Sequence, residues 1–156
     1  MTKTKILQPE GIKTLLLGNA AIARGAVEAG VQVVTAYPGT PSSEIVEELI
    51  SVAEDQGFYA EWSVNEKVAF EAASGAAVVG APSLCAMKGA GLNVVMDMFM
   101  TLPVTGVRGS LVLVVADDPG AHYSSNEQDS RYAALWAGVP CLEPADQHEA
   151  DRKSVV

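Results

Sequence analysis

The sequence predicts an α/β protein, a doubly wound parallel sheet with helices on both faces. Three observations carry that reading. Short runs of β-branched and apolar residues alternate with helical periodicities along the chain. Several runs are apolar at every position, as in Leu111-Val112-Leu113-Val114-Val115, which suits strands buried on both sides. Between the runs, apolar positions recur with a helical period rather than a period of two.

The expected strands fall at residues 13–17, 31–36, 59–63, 83–87, 111–116 and 139–142. A first helix is expected over residues 20–28, stopping at Gly30. A second covers residues 42–56, where Ile45, Leu49, Val52 and Ala53 share a face and Val46 and Ile50 widen it. Thr40 is its expected N-cap and Pro41 its first helical residue. Glu44, Glu47 and Glu48 complement the positive end of its dipole, and Gly57 suits a left-handed C-terminal turn. A third helix, residues 65–79, carries Ala69, Ala72, Ala73, Ala76 and Ala77 with Gly75, side chains small enough for close packing. A shorter helical pattern follows Lys88, and another runs over residues 127–136. Asp146-Gln147-His148-Glu149-Ala150-Asp151 opens a last helix that ends before it can show an apolar face. Residues 1–156 therefore read as part of one domain, incomplete at the C-terminus, from a fragment or split gene product.

Bulk composition narrows the function. With 49% hydrophobic and 19% charged residues, the chain is globular rather than disordered. A net charge of -9 without a Lys/Arg cluster argues against nucleic acid as a partner. No apolar run approaches the ~20 residues that span a bilayer, and Met1-Thr2-Lys3-Thr4-Lys5 is not a secretory leader, so no membrane partner and a cytoplasmic location are expected. Cys85 and Cys141 lie in apolar runs and are expected as buried free thiols, too few for an iron–sulfur cluster of their own. His122 and His148 have no metal-ligand spacing, and Ser124 and Ser125 lack a nucleophile elbow. Lys88-Gly89-Ala90-Gly91 matches neither phosphate-binding fingerprint and reads as a tight turn.

In open parallel sheets, ligands bind at the carboxyl ends of the strands. The loops expected there are Gly18-Asn19, Tyr37-Pro38-Gly39-Thr40, Asn65-Glu66, Lys88-Gly89-Ala90-Gly91 and the segment from Asp117 to Asn126. Glu66 admits two readings. Ser63-Val64-Asn65-Glu66 has the capping-box spacing, in which Glu66 bonds back to the Ser63 amide. Alternatively Asn65 is the cap and Glu66 faces a ligand.

The motifs in these loops resemble a known family. Tyr37-Pro38-Gly39-Thr40-Pro41-Ser42-Ser43-Glu44 is similar to the first-crevice motif of the 2-oxoacid:ferredoxin oxidoreductases. Glu61-Trp62-Ser63-Val64-Asn65-Glu66-Lys67-Val68-Ala69, Gly91-Leu92-Asn93-Val94, Ala116-Asp117-Asp118-Pro119-Gly120 and Ser124-Ser125-Asn126-Glu127-Gln128-Asp129 resemble its indolepyruvate branch, in order along the chain. The sequence departs from that branch at Gly89, where the branch usually has His, and the resemblance ends at about Asp151.

The resemblance implies the pyrimidine-binding part of a thiamine diphosphate fold. It implies Pro38, Gly39, Thr40, Glu66 and Asn93 beside the cofactor, and Thr40, Lys88 and His122 beside the substrate. Glu66 matches the catalytic carboxylate that hydrogen-bonds N1′ of the aminopyrimidine and favours the imino tautomer that deprotonates C2. The implied overall reaction decarboxylates a 2-oxoacid such as indolepyruvate, sends electrons to 4Fe-4S iron–sulfur clusters and ferredoxin, and gives the acyl group to coenzyme A. No Gly-Asp-Gly occurs in this sequence, and no cysteine-rich segment. The Mg2+ with the diphosphate-binding domain, the ferredoxin-like segment and a smaller second subunit are thus implied outside this chain. Two other readings stay open: the pyrimidine-binding half-subunit of a thiamine-dependent 2-oxoacid decarboxylase, and a non-catalytic fragment with the same fold. The Ala-rich helix and residues 94–102, with Val95, Met96, Met98, Phe99 and Met100, are expected to leave an apolar surface for the missing parts.

Overall fold

A computed structural model describes residues 5–8, 13–120 and 124–153. Its centre is a four-stranded parallel sheet in the order β2-β1-β3-β4, formed by β1 (Val33–Ala36), β2 (Tyr59–Trp62), β3 (Ser83–Lys88) and β4 (Leu111–Ala116). Val33 is paired with Tyr59 on one side and Ser83 on the other, and Ser83 with Leu111. Helices cover both faces: α1 (Gly18–Glu28), α2 (Ser43–Gln56) and α6 (Gln147–Lys153) form one layer, and α3 (Glu66–Val79), α4 (Gly89–Thr105) and α5 (Arg131–Ala137) the other.

The period-two alternation of β3 explains why its central run, Leu84 to Met87, is apolar at every position. Leu84 and Ala86 join Val34, Ile45, Val46, Leu49 and Val52 in the core beneath α1 and α2. Cys85 and Met87 point the other way, into a second core with Ala69, Phe70, Ala73, Leu92, Val95 and Phe99. Small residues on α3 let its backbone come close enough to β1 for the buried Thr35 hydroxyl to donate to the Ala69 carbonyl at 2.7 Å.

Two expected strands do not form. Residues 13–17 find no ladder partner, and only Leu16 packs on the first core, while Leu15 and Leu17 are exposed. Residues 139–142 are likewise unpaired: Pro140 has no N–H to give a ladder, and Cys141 and Leu142 are exposed. Of the thiols, Cys85 is buried as expected and Cys141 is not. The free flank of β4 explains why every residue from Leu111 to Ala116 is only half-buried.

The helix boundaries also differ in instructive ways. α2 begins at Ser43 after Ser42, not at Pro41, and Gly57 closes it in the left-handed conformation with φ 73°. α4 runs on to Thr105, and α5 starts only at Arg131. The apolar surface expected along residues 94–102 is mostly absorbed by the chain itself. Val95, Phe99 and Leu102 are buried in the second core, and Met96, Met98 and Met100 pack against it. The large apolar residues left exposed include Val64, Val79, Val104 and, on α5, Tyr132, Leu135 and Trp136. Among the described residues no helix is long and apolar enough to cross a membrane.

The strand order sets where a ligand can sit. From β1 the chain crosses to β2 on one side, then returns past β1 to β3 on the other. The connections leaving β1 and β3 therefore diverge to opposite faces, which opens a crevice at the carboxyl ends of these two strands.

Candidate functional site

The loop that leaves β1 is shaped by its own serines. Ser42 Oγ donates to the Gly39 carbonyl at 2.8 Å, and Gly39 N–H donates to Ser43 Oγ at 2.9 Å. From the neighbouring helix, Asn19 Nδ2 donates to the Pro41 carbonyl at 2.8 Å and to Glu44 Oε2 at 2.9 Å. The Thr40–Pro41 peptide is cis. Ser42, not Thr40, stands at the N-cap position of α2, and the exposed Thr40 hydroxyl is not spent on the helix. Pro38 is exposed beside it.

Across the crevice stands Lys88, the last residue of β3. A Cβ added at Gly39 would meet the Lys88 Cβ at 3.1 Å, so the absence of a side chain at 39 lets the two loops touch. Lys88 Nζ pairs with Asp118 Oδ2 at 2.8 Å, both side chains partly shielded.

Glu66 opens α3, and its competing role falls to a neighbour. Asn65 is in the extended conformation and its Oδ1 accepts from the Val68 N–H at 2.9 Å. The Ser63 N–H donates instead to the Ala36 carbonyl at 2.8 Å, continuing the strand pairing. The capping box is thus absent, and Asn65 alone caps the helix. The Glu66 side chain lies over the first turn of α4, against Gly91, where an added Cβ would be 2.7 Å from Glu66 Cγ. It makes no hydrogen bond or ion pair with the described residues.

The segment after β4 closes the other end of the edge. Asp117 accepts from Ser130 twice, Oδ2 from the N–H at 2.8 Å and Oδ1 from the hydroxyl at 2.6 Å. Gln128 ties this segment to α4: its Nε2 donates to the Gly89 carbonyl at 2.6 Å and its Oε1 accepts from Asn93 Nδ2 at 2.9 Å and Asn126 Nδ2 at 2.8 Å. A Cβ at Gly89 would stand 2.5 Å from Asp117 Oδ1, so the space a side chain at 89 needs is filled by Asp117. Lys88, Gly89, Ala90, Asp117, Asp118, Ser124, Asn126 and Gln128 line a shallow cleft.

Of the residues singled out from the sequence, Gly39 and Lys88 are in contact, Asn93 joins the Gln128 network, and Glu66 packs on Gly91 within the same loop cluster. His122 lies outside the described residues. Asp117, Asp118 and Gln128 were legible only as members of motifs and Ser130 not at all; their contacts span 13 to 39 residues of chain. Among the described residues no group of three or more His, Cys, Asp or Glu could hold a metal.

A family model described as pyruvate flavodoxin/ferredoxin oxidoreductase, thiamine diphosphate-binding, matches residues 24–156. The chain is 54% identical over 140 residues to the indolepyruvate oxidoreductase subunit IorA of Pyrococcus horikoshii, covering 90% of this chain and 22% of that protein. It is 47% identical over 154 residues to the subunit of the same name from Archaeoglobus fulgidus, covering 96% and 25%. The chain thus spans about a quarter of the length of these curated relatives. It superposes on a 2-oxoglutarate:ferredoxin oxidoreductase from Magnetococcus marinus, solved with 2-oxoglutarate, coenzyme A and succinyl-CoA bound. The TM-score is 0.74 at 22% identity, over 90% of this chain and 26% of that one, which establishes a shared fold.

Proposed function

Because this chain belongs to the thiamine diphosphate-binding family of pyruvate flavodoxin/ferredoxin oxidoreductases, we propose that it supplies the pyrimidine-binding part of the catalytic subunit of an aryl 2-oxoacid:ferredoxin oxidoreductase. Indolepyruvate is the substrate this reading favours, because the relatives at about half identity carry that name. The observation that carries the reading is the freedom of Glu66. Asn65 caps the helix in its place, and Gly91 makes room for its carboxyl at the carboxyl edge of the sheet.

When bound, thiamine diphosphate supplies a nucleophilic carbon that attacks the keto carbon of the 2-oxoacid. The residues present fit such a group. Glu66 would hold a proton at N1′ of the aminopyrimidine, a task open to it because Asn65 caps the helix. Pro38, Gly39 and Thr40 would flank the ring, the turn being held by Ser42 and Ser43. Asn93 has donated its amide N–H to Gln128 and offers its carbonyl oxygen as an acceptor. Thr40 would donate its hydroxyl to the substrate carboxylate or keto oxygen, and Lys88 would supply the positive charge that selects an anion. Mg2+, the 4Fe-4S clusters, ferredoxin, coenzyme A and a smaller second subunit belong to other parts of the assembly.

The test uses the full-length subunit with its partner. Indolepyruvate should reduce ferredoxin in the presence of thiamine diphosphate and coenzyme A, and Glu66→Gln should slow exchange of the C2 proton, followed by NMR, about 10²–10⁴-fold. Near-normal exchange in Glu66→Gln would remove Glu66 from the mechanism.

A further inference from the structure

Among the described residues Asp118 makes one polar contact, an ion pair with Lys88 at the edge of the crevice. Lys88 Nζ and Asp118 Oδ2 are 2.8 Å apart, with the side chains 20% and 33% exposed. Lys88 ends a strand whose preceding residues are all buried, and its stem rests on Gly39. A cation drawn this far from water needs an anionic partner, since stripping the partner leaves an uncompensated charge.

We infer that Asp118 is an internal stand-in for the substrate carboxylate: it neutralises Lys88 until a 2-oxoacid takes its place. This rests on the reading of the chain as part of a 2-oxoacid oxidoreductase. Exchange of one carboxylate for another keeps Lys88 paired throughout, while the displaced Asp118 carboxylate turns to the open side of the cleft. A neutral ester or amide of the same acid could not make the exchange, so the pair discriminates anions from their neutral analogues.

The local architecture suits a movement confined to one side chain. Asp117, the preceding residue, is fastened by both oxygens to Ser130 and packs in the space that Gly89 leaves. Gln128 fastens the same segment to α4. The backbone entering the loop is thereby held, while Asp118 can rotate away from Lys88 toward the cleft that both line. Of the other acidic groups in this loop, Asp117 is taken by Ser130, and Glu127 Oε1 accepts from the Gly120 N–H at 3.1 Å. Neither pairs with Lys88.

The experiment is a double-mutant cycle on the full-length subunit assembled with its partner and thiamine diphosphate, using indolepyruvate. Asp118→Asn removes the competitor and should lower KM about threefold to fivefold, the range of a partly exposed ion pair, with KM changing more than kcat. Lys88→Gln should raise KM about 30-fold or more. In the Lys88→Gln background, Asp118→Asn should have no further effect on KM. An unchanged or raised KM in Asp118→Asn, or a fall in KM that persists without Lys88, would overturn the inference. So would loss of folding in Asp118→Asn, because an exchangeable counter-ion is not a structural one. A wild-type assembly inert toward 2-oxoacids would instead overturn the proposed function, and that outcome is read before any variant is made.

Discussion

Glu66 crosses over Gly91 so closely that a methyl group at position 91 would stand 2.7 Å from Glu66 Cγ and 3.0 Å from Oε1. The glycine is therefore part of the seat of the carboxyl. Its φ is not in the left-handed region, and it lies inside the first turn of α4. Nothing in the helix backbone requires glycine here; the side chain of another helix does.

Gly91→Ala should separate folding from activity. Alanine favours a helix by about 1 kcal/mol over glycine, and a flexible glutamate can swing aside. The melting temperature should hold within a few degrees or rise. Turnover by the full assembly should fall about 10- to 100-fold, as expected when a reacting group is misplaced by about 1 Å. Wild-type turnover with an unchanged melting curve would show that Glu66 has no fixed position to lose.

Asn65→Ala and Glu66→Gln should give opposite phenotypes although they are neighbours. Losing the Asn65 cap should cost about 1 kcal/mol in a urea titration. Glu66→Gln should leave the titration unchanged while slowing C2 exchange. Since Gln also serves a capping box, the control is Glu66→Ala, which should cost well under the Asn65→Ala loss because the Ser63 N–H is held by Ala36. Equal destabilisation by Asn65→Ala and Glu66→Ala would mean that Glu66 caps the helix after all.

Substituting Gly89 with His should loosen the loop after β4. The new Cβ meets Asp117 Oδ1 at 2.5 Å, and Asp117 must then release Ser130. Overpacking of this kind costs about 1–3 kcal/mol, to be read from chemical denaturation. Faster hydrogen exchange at the Ser130 amide, which Asp117 protects at 2.8 Å, would locate the effect. Full retention of stability and protection would show that the loop can re-form around the larger residue.

The two thiols should behave oppositely. Burial raises the Cys85 thiol from 9.0 to about 12, with the Glu66 charge acting in the same direction and the Thr35 hydroxyl opposing. A raised folded-state value means that the native chain holds its proton more tightly than the unfolded chain. The contribution to stability is thus fully present below pH 9 and is lost as the pH rises toward 12. Iodoacetamide at pH 8 should label Cys141, which is exposed, and spare Cys85 until the chain is unfolded. Equal labelling rates in the native chain would contradict the burial of Cys85.

The fold class was legible because burial on both faces leaves a mark at every position. Leu84–Met87 and Leu111–Ala116 are apolar throughout, and both lie in strands of the parallel sheet. The stripe of Ile45, Leu49 and Val52 likewise marks α2. Residues 13–17 and 139–142 carry the same local signal and form no strand, because a strand exists only where another offers it a ladder. Val95 and Phe99 read as surface for a partner, yet α4 buries them on α3 and β3 of its own chain.

The site divides in the same way. The resemblance of the loop motifs implied roles for Gly39, Thr40, Glu66, Lys88 and Asn93, whereas position at a strand end by itself singled out Glu66. Which of two nearby residues caps α3 was not decidable from spacing, since Ser63 and Asn65 both qualify as caps. The sheet decided it by claiming the Ser63 N–H for Ala36. The partnerships of Lys88 with Asp118, Gly89 with Asp117 and Asn93 with Gln128 join segments far apart in the chain. The sequence determines which groups are available; only the packing of the strands side by side decides which of them meet, because contact across a sheet follows strand order rather than chain order.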